Sequence, residues 1–135
     1  IAEATEALRT GECERAVAVG LQLVDRGLGA AVNKPAEDGK FKVPTLRNIA
    51  RTAPYMHNGY FTTLRGAVAF YNDRDVRKRC PKDLPEAEAN RRKCWPAPEV
   101  AANVNTDELG RLGLSEREVD DIVAFLRTLD DGYKP

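Results

Sequence analysis

Ser115 followed three positions later by Glu118 is the feature that most constrains this chain, because it fixes where a helix must begin. A serine hydroxyl and a glutamate carboxylate at that spacing can each satisfy a backbone N–H left orphaned in a first helical turn. Leu114 and Val119 occupy the staple positions around this capping box. Val119, Ile122, Val123, Leu126 and Leu129 then recur at helical spacing, so one apolar stripe must be buried against something else. The expected helix ends near Asp131-Gly132, where glycine suits a C-terminal cap.

A second helix is expected from about Thr63 to Asn72, opened by Thr62 or Thr63 and carrying Leu64, Ala67, Val68 and Tyr71 on one stripe. That stripe points Tyr71 toward the core. A shorter helical piece is expected between Phe41 and Thr52, after Val43-Pro44 and capped by Thr45. Ala2, Ala4 and Ala7 favour a helix over the first eight residues. Gly27, Gly29, Pro35 and Gly39 read as a connection, and Pro81, Pro85, Pro96 and Pro98 mark residues 80–104 as an irregular loop insertion with little packing to hold it. No strand alternation persists and no repeat appears. The expectation is one all-α domain over residues 1–135, with long ordered loops.

Composition narrows the function classes. Lys plus Arg number 21 and Asp plus Glu number 21, so no bulk field draws nucleic acid or an anionic membrane. No apolar run reaches the roughly 18–20 residues of a membrane span. The first residue is Ile1 rather than Met, and a processed or excised product is expected. Cys80 and Cys94 flank a polar, proline-containing segment. Bridging them would close a loop of about 15 residues and stabilise the fold by roughly 3 kcal/mol; two free thiols are the alternative. A bridge points to an oxidising compartment. Cys13 is left over, as a free thiol or as the partner of a cysteine elsewhere.

Chemistry-bearing groups concentrate in residues 44–59, which hold the only His, His57, and the only Met, Met56. His57, on a turn between Pro54 and Gly59, reads as a ligand, a proton carrier or a hydrogen-bonded structural residue. Met56 reads as core filler or ligand, and Arg47 as a surface charge or a clamp for a carboxylate or propionate. No phosphate-cradling glycine loop, Gly-x-Ser-x-Gly elbow or His-Glu-x-x-His helix is present. Neither a Cys–His nucleophile pair nor a zinc site has a supporting local signature.

Residues 39–59, through Pro44-Thr45-Leu46-Arg47-Asn48 and Ala53-Pro54-Tyr55-Met56-His57-Asn58-Gly59, resemble the second haem domain of the bacterial di-haem cytochrome c peroxidase and MauG family. Thr63-Leu64 and Ala67-Val68-Ala69-Phe70-Tyr71-Asn72 continue the likeness, as do Leu112-Gly113-Leu114-Ser115 and Ile122-Val123-Ala124-Phe125-Leu126. Gly27-Leu28-Gly29-Ala30 resembles the family's run-in, and Cys94-Trp95-Pro96-Ala97-Pro98-Glu99-Val100 an insertion of one branch. The resemblance implies a class I cytochrome c-like domain, haem c, calcium, a periplasmic location, hydrogen peroxide as oxidant and a redox partner protein. It further implies that Tyr71 stands at the axial-ligand position, which is Met in the peroxidases and Tyr in MauG-like members. Leu46, Arg47, Tyr55 and His57 would line the haem pocket, with Arg47 on a propionate. A phenolate favours ferric and higher states where a thioether favours ferrous iron, so Tyr71 tilts the expectation toward MauG-like oxidation. A buried, hydrogen-bonded tyrosine is the plainer alternative. No Cys-x-x-Cys-His occurs, so the attachment motif and proximal His are expected on a haem-bearing upstream segment or chain. An electron-transfer domain without catalysis and a haem-free binding module are the competing expectations.

Overall fold

The computed structural model describes residues 24–81 and 84–132. The N-terminal helix expected from the alanines, and Cys13, lie outside the described residues. Regular structure comprises α1 (Leu28–Val32), α2 (Leu64–Asp73), α3 (Glu86–Arg91) and α4 (Glu116–Thr128), with single 3-10 turns at Pro35–Glu37, Ile49–Arg51 and Ala101–Asn103. Two-residue strands β1 (Lys78–Arg79) and β2 (Cys94–Trp95) pair in parallel. The architecture is mainly helical, in keeping with a cytochrome c-like fold. Among the described residues no helix is long and apolar enough to cross a membrane.

Helix α4 begins where its sequence dictates. Ser115 Oγ accepts from the Glu118 N–H at 3.3 Å, and the Glu118 carboxylate accepts from the Ser115 N–H at 2.8 Å. Hydrogen bonds from the Ser115 N–H and the Ser115 hydroxyl to the Glu118 carboxylate hold that carboxyl below its usual value. Val119 and Val123 are buried, with Ile122, Leu126 and Leu129 half-buried. The helix ends at Thr128, short of the expected glycine. The segment just beyond it is held from outside: the Asn48 N–H donates to Leu129 O at 2.8 Å, and Asn48 Oδ1 accepts from the Asp131 N–H at 3.0 Å.

The same exchange explains why the helix expected over residues 45–52 shrinks to one 3-10 turn. Asn48 sits at φ 59°, in the left-handed region, and Thr45 Oγ1 accepts from the Arg47 N–H at 3.2 Å. Backbone groups there are spent on the C-terminal segment and a side chain rather than on carbonyls four residues back. Conversely, the connection at Gly27–Gly39 carries the unexpected helix α1. Gly27 at φ 54° opens it, Leu28 N–H donates to Lys40 O at 2.8 Å, and Asn33 closes it in the left-handed region.

Helix α2 starts as expected, with Thr63 Oγ1 accepting from the Gly66 N–H at 3.0 Å. Its small residues let neighbours come close on two sides, and Leu64, Gly66, Ala67 and Ala69 are all buried. Helix α4 packs against it, and Asn72 locks the start of that helix by donating to Leu114 O at 3.0 Å and accepting from its N–H at 2.8 Å.

The insertion overturns the expectation of a segment with little packing. Trp95 is fully buried, and Cys94, Ala89 and Glu86 are buried with it. Trp95 stands edge-on to Phe61 at 5.7 Å and to Phe70 at 5.6 Å, and its indole N–H donates to Asp73 Oδ1 at 2.7 Å. Cys80 and Cys94 are disulfide-bonded, as the sequence suggested. A segment rich in prolines and charges thus supplies the largest side chain of the core, and its burial outweighs the polarity of its flanks.

Candidate functional site

The turn at residues 54–59 is held rigidly from below. Tyr55 exchanges backbone hydrogen bonds with Phe61 at 2.7 and 3.4 Å, and its hydroxyl donates to Ile49 O at 3.0 Å. Burial pushes the Tyr55 phenol up from its ordinary value. At the tip, Met56 adopts φ 69° and its carbonyl accepts from the Gly59 N–H at 3.2 Å. Gly59 is at φ 64°, with Pro54 Cγ 3.1 Å from where a Cβ would stand, so a side chain there would be both strained and crowded.

Above that base the functional groups face outward. The His57 ring stacks on Phe41 with centroids 4.0 Å apart and planes at 11°, and its Nε2 lies 3.5 Å from Glu99 Oε1. Asn58 Nδ2 also donates to Glu99 at 3.3 Å, so the insertion braces the turn. The Tyr71 hydroxyl lies 3.5 Å from Met56 Sδ. Tyr71 is 39% exposed, which corrects the expectation that it is buried in the core. It continues the stripe of Leu64 and Ala67, but the last turn of α2 runs past the elements that cover the rest. An open apolar hollow of about 420 Å³, lined by Leu28, Ala31 and Phe41 among others, adjoins Phe41.

The structure therefore brings Tyr71, Met56, His57 and Phe41 into one contiguous row, with Tyr55 as its foundation. Leu46 is 49% exposed nearby in sequence. Arg47 turns instead to the chain's end, where its guanidinium meets Asp131 Oδ2 at 2.7 Å, and Arg51 meets Asp130 at 2.8 Å. Among the described residues no three His, Cys, Asp or Glu side chains converge. Sequence reasoning missed Glu86, Glu99, Asp73 and Asn72, single polar residues whose contacts are made far along the chain.

Glu86 is the most consequential of these. Its carboxylate accepts from the Thr62 N–H and hydroxyl, both at 2.6 Å, and from the Thr63 hydroxyl at 2.7 Å. Burial works against its ionisation, but the hydrogen bonds from Thr62 and Thr63 win and hold the carboxyl below its usual value. Burial and then the Glu86 charge raise the neighbouring Tyr60 phenol.

The chain is similar to several curated proteins. The chain is 48% identical over 121 residues to the methylamine utilization protein MauG of Paracoccus denitrificans, a match covering 87% of this chain and 30% of that protein. It is 36% identical over 105 residues to the cytochrome-c peroxidase IdrP1 of Denitromonas iodatirespirans, covering 78% of the chain and 22% of the relative. This chain belongs to the MauG and di-haem cytochrome c peroxidase family. It corresponds to the C-terminal region of that family. The cytochrome c peroxidase Ccp of Escherichia coli is 35% identical over 94 residues, 70% of this chain and 13% of the relative. The chain thus spans less than a third of the curated relatives' length. No family profile matches it. No solved structure matches it either.

Proposed function

We propose that this chain forms the axial-ligand side of the second haem domain, of class I cytochrome c type, in a periplasmic MauG-like or cytochrome c peroxidase oxidoreductase. The observation that carries the reading is the Tyr71 hydroxyl. It stands on an open face with a thioether as its hydrogen-bond partner, and a thioether is a weak acceptor. The phenolic oxygen keeps its lone pairs for an electrophile such as iron.

The surroundings fit a flat apolar macrocycle. Phe41, Val43, Leu46 and Tyr71 are exposed apolar or aromatic side chains at or near the row, the kind of surface that a soluble domain covers with a ligand or partner. No Cys-x-x-Cys-His is present, so covalent attachment and the proximal His fall to a haem-bearing upstream segment or chain. When bound, haem supplies one-electron and peroxide chemistry, with hydrogen peroxide and a redox partner protein as reactants. Within this chain Tyr71 would be the iron ligand. Tyr55 holds the turn against Ile49, and Phe41 and Glu99 fix the His57 ring. Arg47 would reach a propionate only by releasing Asp131. The Cys80–Cys94 bridge supports an oxidising compartment.

The test is Tyr71→Phe in the full-length protein. Loss of one hydroxyl removes only the Met56 contact, so the fold should stand. The ferric absorption spectrum should change and the reduction potential should rise, because the anionic ligand that stabilised ferric iron is gone. An unchanged spectrum in the folded, haem-loaded variant would sink the ligand assignment, and a colourless full-length protein would sink the haem reading.

A further inference from the structure

Parallel pairing of Lys78 with Cys94 and of Arg79 with Trp95 sets the run Arg77-Lys78-Arg79 beside the run Arg91-Arg92-Lys93. The Cys80–Cys94 bridge pins the two runs together. Of these six cations, all but Arg77 are exposed. They meet three carboxylates: Asp73 holds Arg77 at 2.6 Å, Asp75 lies 3.7 Å from Arg79, and Glu88 is shared by Arg91 and Arg92 at 2.5 Å. Asp75 is itself engaged by the buried Arg74 at 2.6 Å, which holds its carboxyl below the usual range. Among the described residues Lys78 and Lys93 have no carboxylate partner. Because the whole chain has a formal net charge of zero, this surplus leaves the rest of the sequence net negative.

The underside of this face is aromatic. The Arg77 guanidinium lies 4.8 Å over the Trp95 ring, Trp95 contacts Phe70 at 5.6 Å, and Phe70 contacts Tyr71 at 6.2 Å. A continuous run of rings leads from the basic surface to the open row.

We propose that this disulfide-pinned basic face is the docking surface for an acidic electron-carrier protein. Charge complementarity argues for the partner's sign, and steering by such a patch raises association rates. Two three-residue runs on a neutral chain fall short of the extended basic track that a nucleic-acid backbone engages. The ring contacts to Tyr71 favour a partner that exchanges electrons, and this choice of partner class rests on the redox reading above.

The experiment measures association of the full-length, haem-loaded protein with plastocyanin, a small acidic electron carrier, by stopped flow across ionic strengths. Wild type should associate more slowly as salt rises. Lys78→Glu/Lys93→Glu should slow association about tenfold at low salt and flatten its salt dependence, while Arg117→Glu on α4 should change it little. Unaltered thermal melting and Soret spectrum verify that the double variant is folded and loaded. Salt-independent association, or a double variant that associates like wild type, overturns the docking surface. Tighter, equally charge-sensitive binding to phosphatidylserine vesicles or to single-stranded DNA overturns the assignment to a protein. A colourless preparation defeats the haem reading instead and is recognised before any binding is measured.

Discussion

Replacing Glu86 should loosen the start of α2, although Glu86 lies more than twenty residues beyond it in sequence. Glu86 is 6% exposed, and its carboxylate accepts three hydrogen bonds, from the Thr62 N–H and from the Thr62 and Thr63 hydroxyls. Each bond to an ionised acceptor is worth about 1.5–3 kcal/mol, opposed by the several kcal/mol of withdrawing a carboxylate from water. Glu86→Ala leaves the threonine hydroxyls free to turn to solvent but strands the Thr62 N–H and opens a gap beside Gly66. The expected loss is about 2–3 kcal/mol, or roughly 10 °C in melting temperature for a chain of this size. Glu86→Gln keeps the shape but turns an amide donor toward donors, for a loss of about 1–2 kcal/mol. The pH dependence separates charge from packing. Because the native pKa of Glu86 lies below its usual value, its stabilisation is fully present above the unfolded pKa of about 4.3 and is lost as pH falls through the native value. Chemical denaturation of wild type and Glu86→Gln from neutral pH down to about pH 3 should therefore show a gap that is constant above pH 5 and closes on acidification. A gap that stays constant to the lowest pH, or none at neutral pH, refutes the assignment of a buried, ionised Glu86.

Other perturbations follow from single contacts. Removing the bridge as Cys80→Ser/Cys94→Ser, with 14 residues of separation, should cost about 3 kcal/mol in guanidinium unfolding, and non-reducing peptide mapping of wild type should recover the two cysteines linked. Trp95→Ala should cost about 3–5 kcal/mol, whereas Trp95→Phe keeps a ring against Phe61 and Phe70 and should cost about 1–2 kcal/mol for the lost Asp73 bond, read by thermal melting. Ser115→Ala removes half of the capping box and should cost about 1 kcal/mol in the same assay. Arg65 pairs with Glu116 and Asp120 on the surface, and Arg65→Ala should stay within about 0.5 kcal/mol because exposed pairs are screened and entropically costly.

What could be read from the sequence was whatever a local rule governs. Ser115 and Glu118 cap each other within one turn, Thr63 caps α2 within three residues, and both starts stand where the spacing put them. Ends and loops fared worse because distant partners decide them. Asn48 binds Leu129 and Asp131 across more than eighty residues, and that exchange both shortens α4 and reduces the helical piece after Thr45 to the single 3-10 turn at Ile49–Arg51. Nothing near Glu86 in sequence announces that it completes the cap of α2. The insertion looked unsupported because its prolines and charges are visible locally, whereas the slot that Trp95 fills, between Phe61, Phe70 and Asp73, exists only once the chain has folded.

Tyr71 shows how a correct direction can lead to an incorrect burial. Seven residues are close to two helical turns, so Tyr71 does lie below Leu64 on one stripe, as periodicity requires. Periodicity says which way a side chain points but not whether anything meets it there. Helix α4 covers one flank of α2 and the disulfide-pinned insertion covers the other, where Gly66 and Ala69 are buried. Toward its C-terminal end the stripe's Tyr71 hydroxyl meets Met56, on a turn that Tyr55 anchors to Ile49. A helix fixed on two flanks presents its remaining edge with little freedom, and an iron ligand needs that rigidity more than it needs burial. On the proposed assignment of Tyr71 to iron, the polar pins at Glu86, Asp73 and Asn72 would bear on function as well as on stability: loosening any of them should shift the haem spectrum of the full-length protein even though none of the three reaches the row that Tyr71 begins.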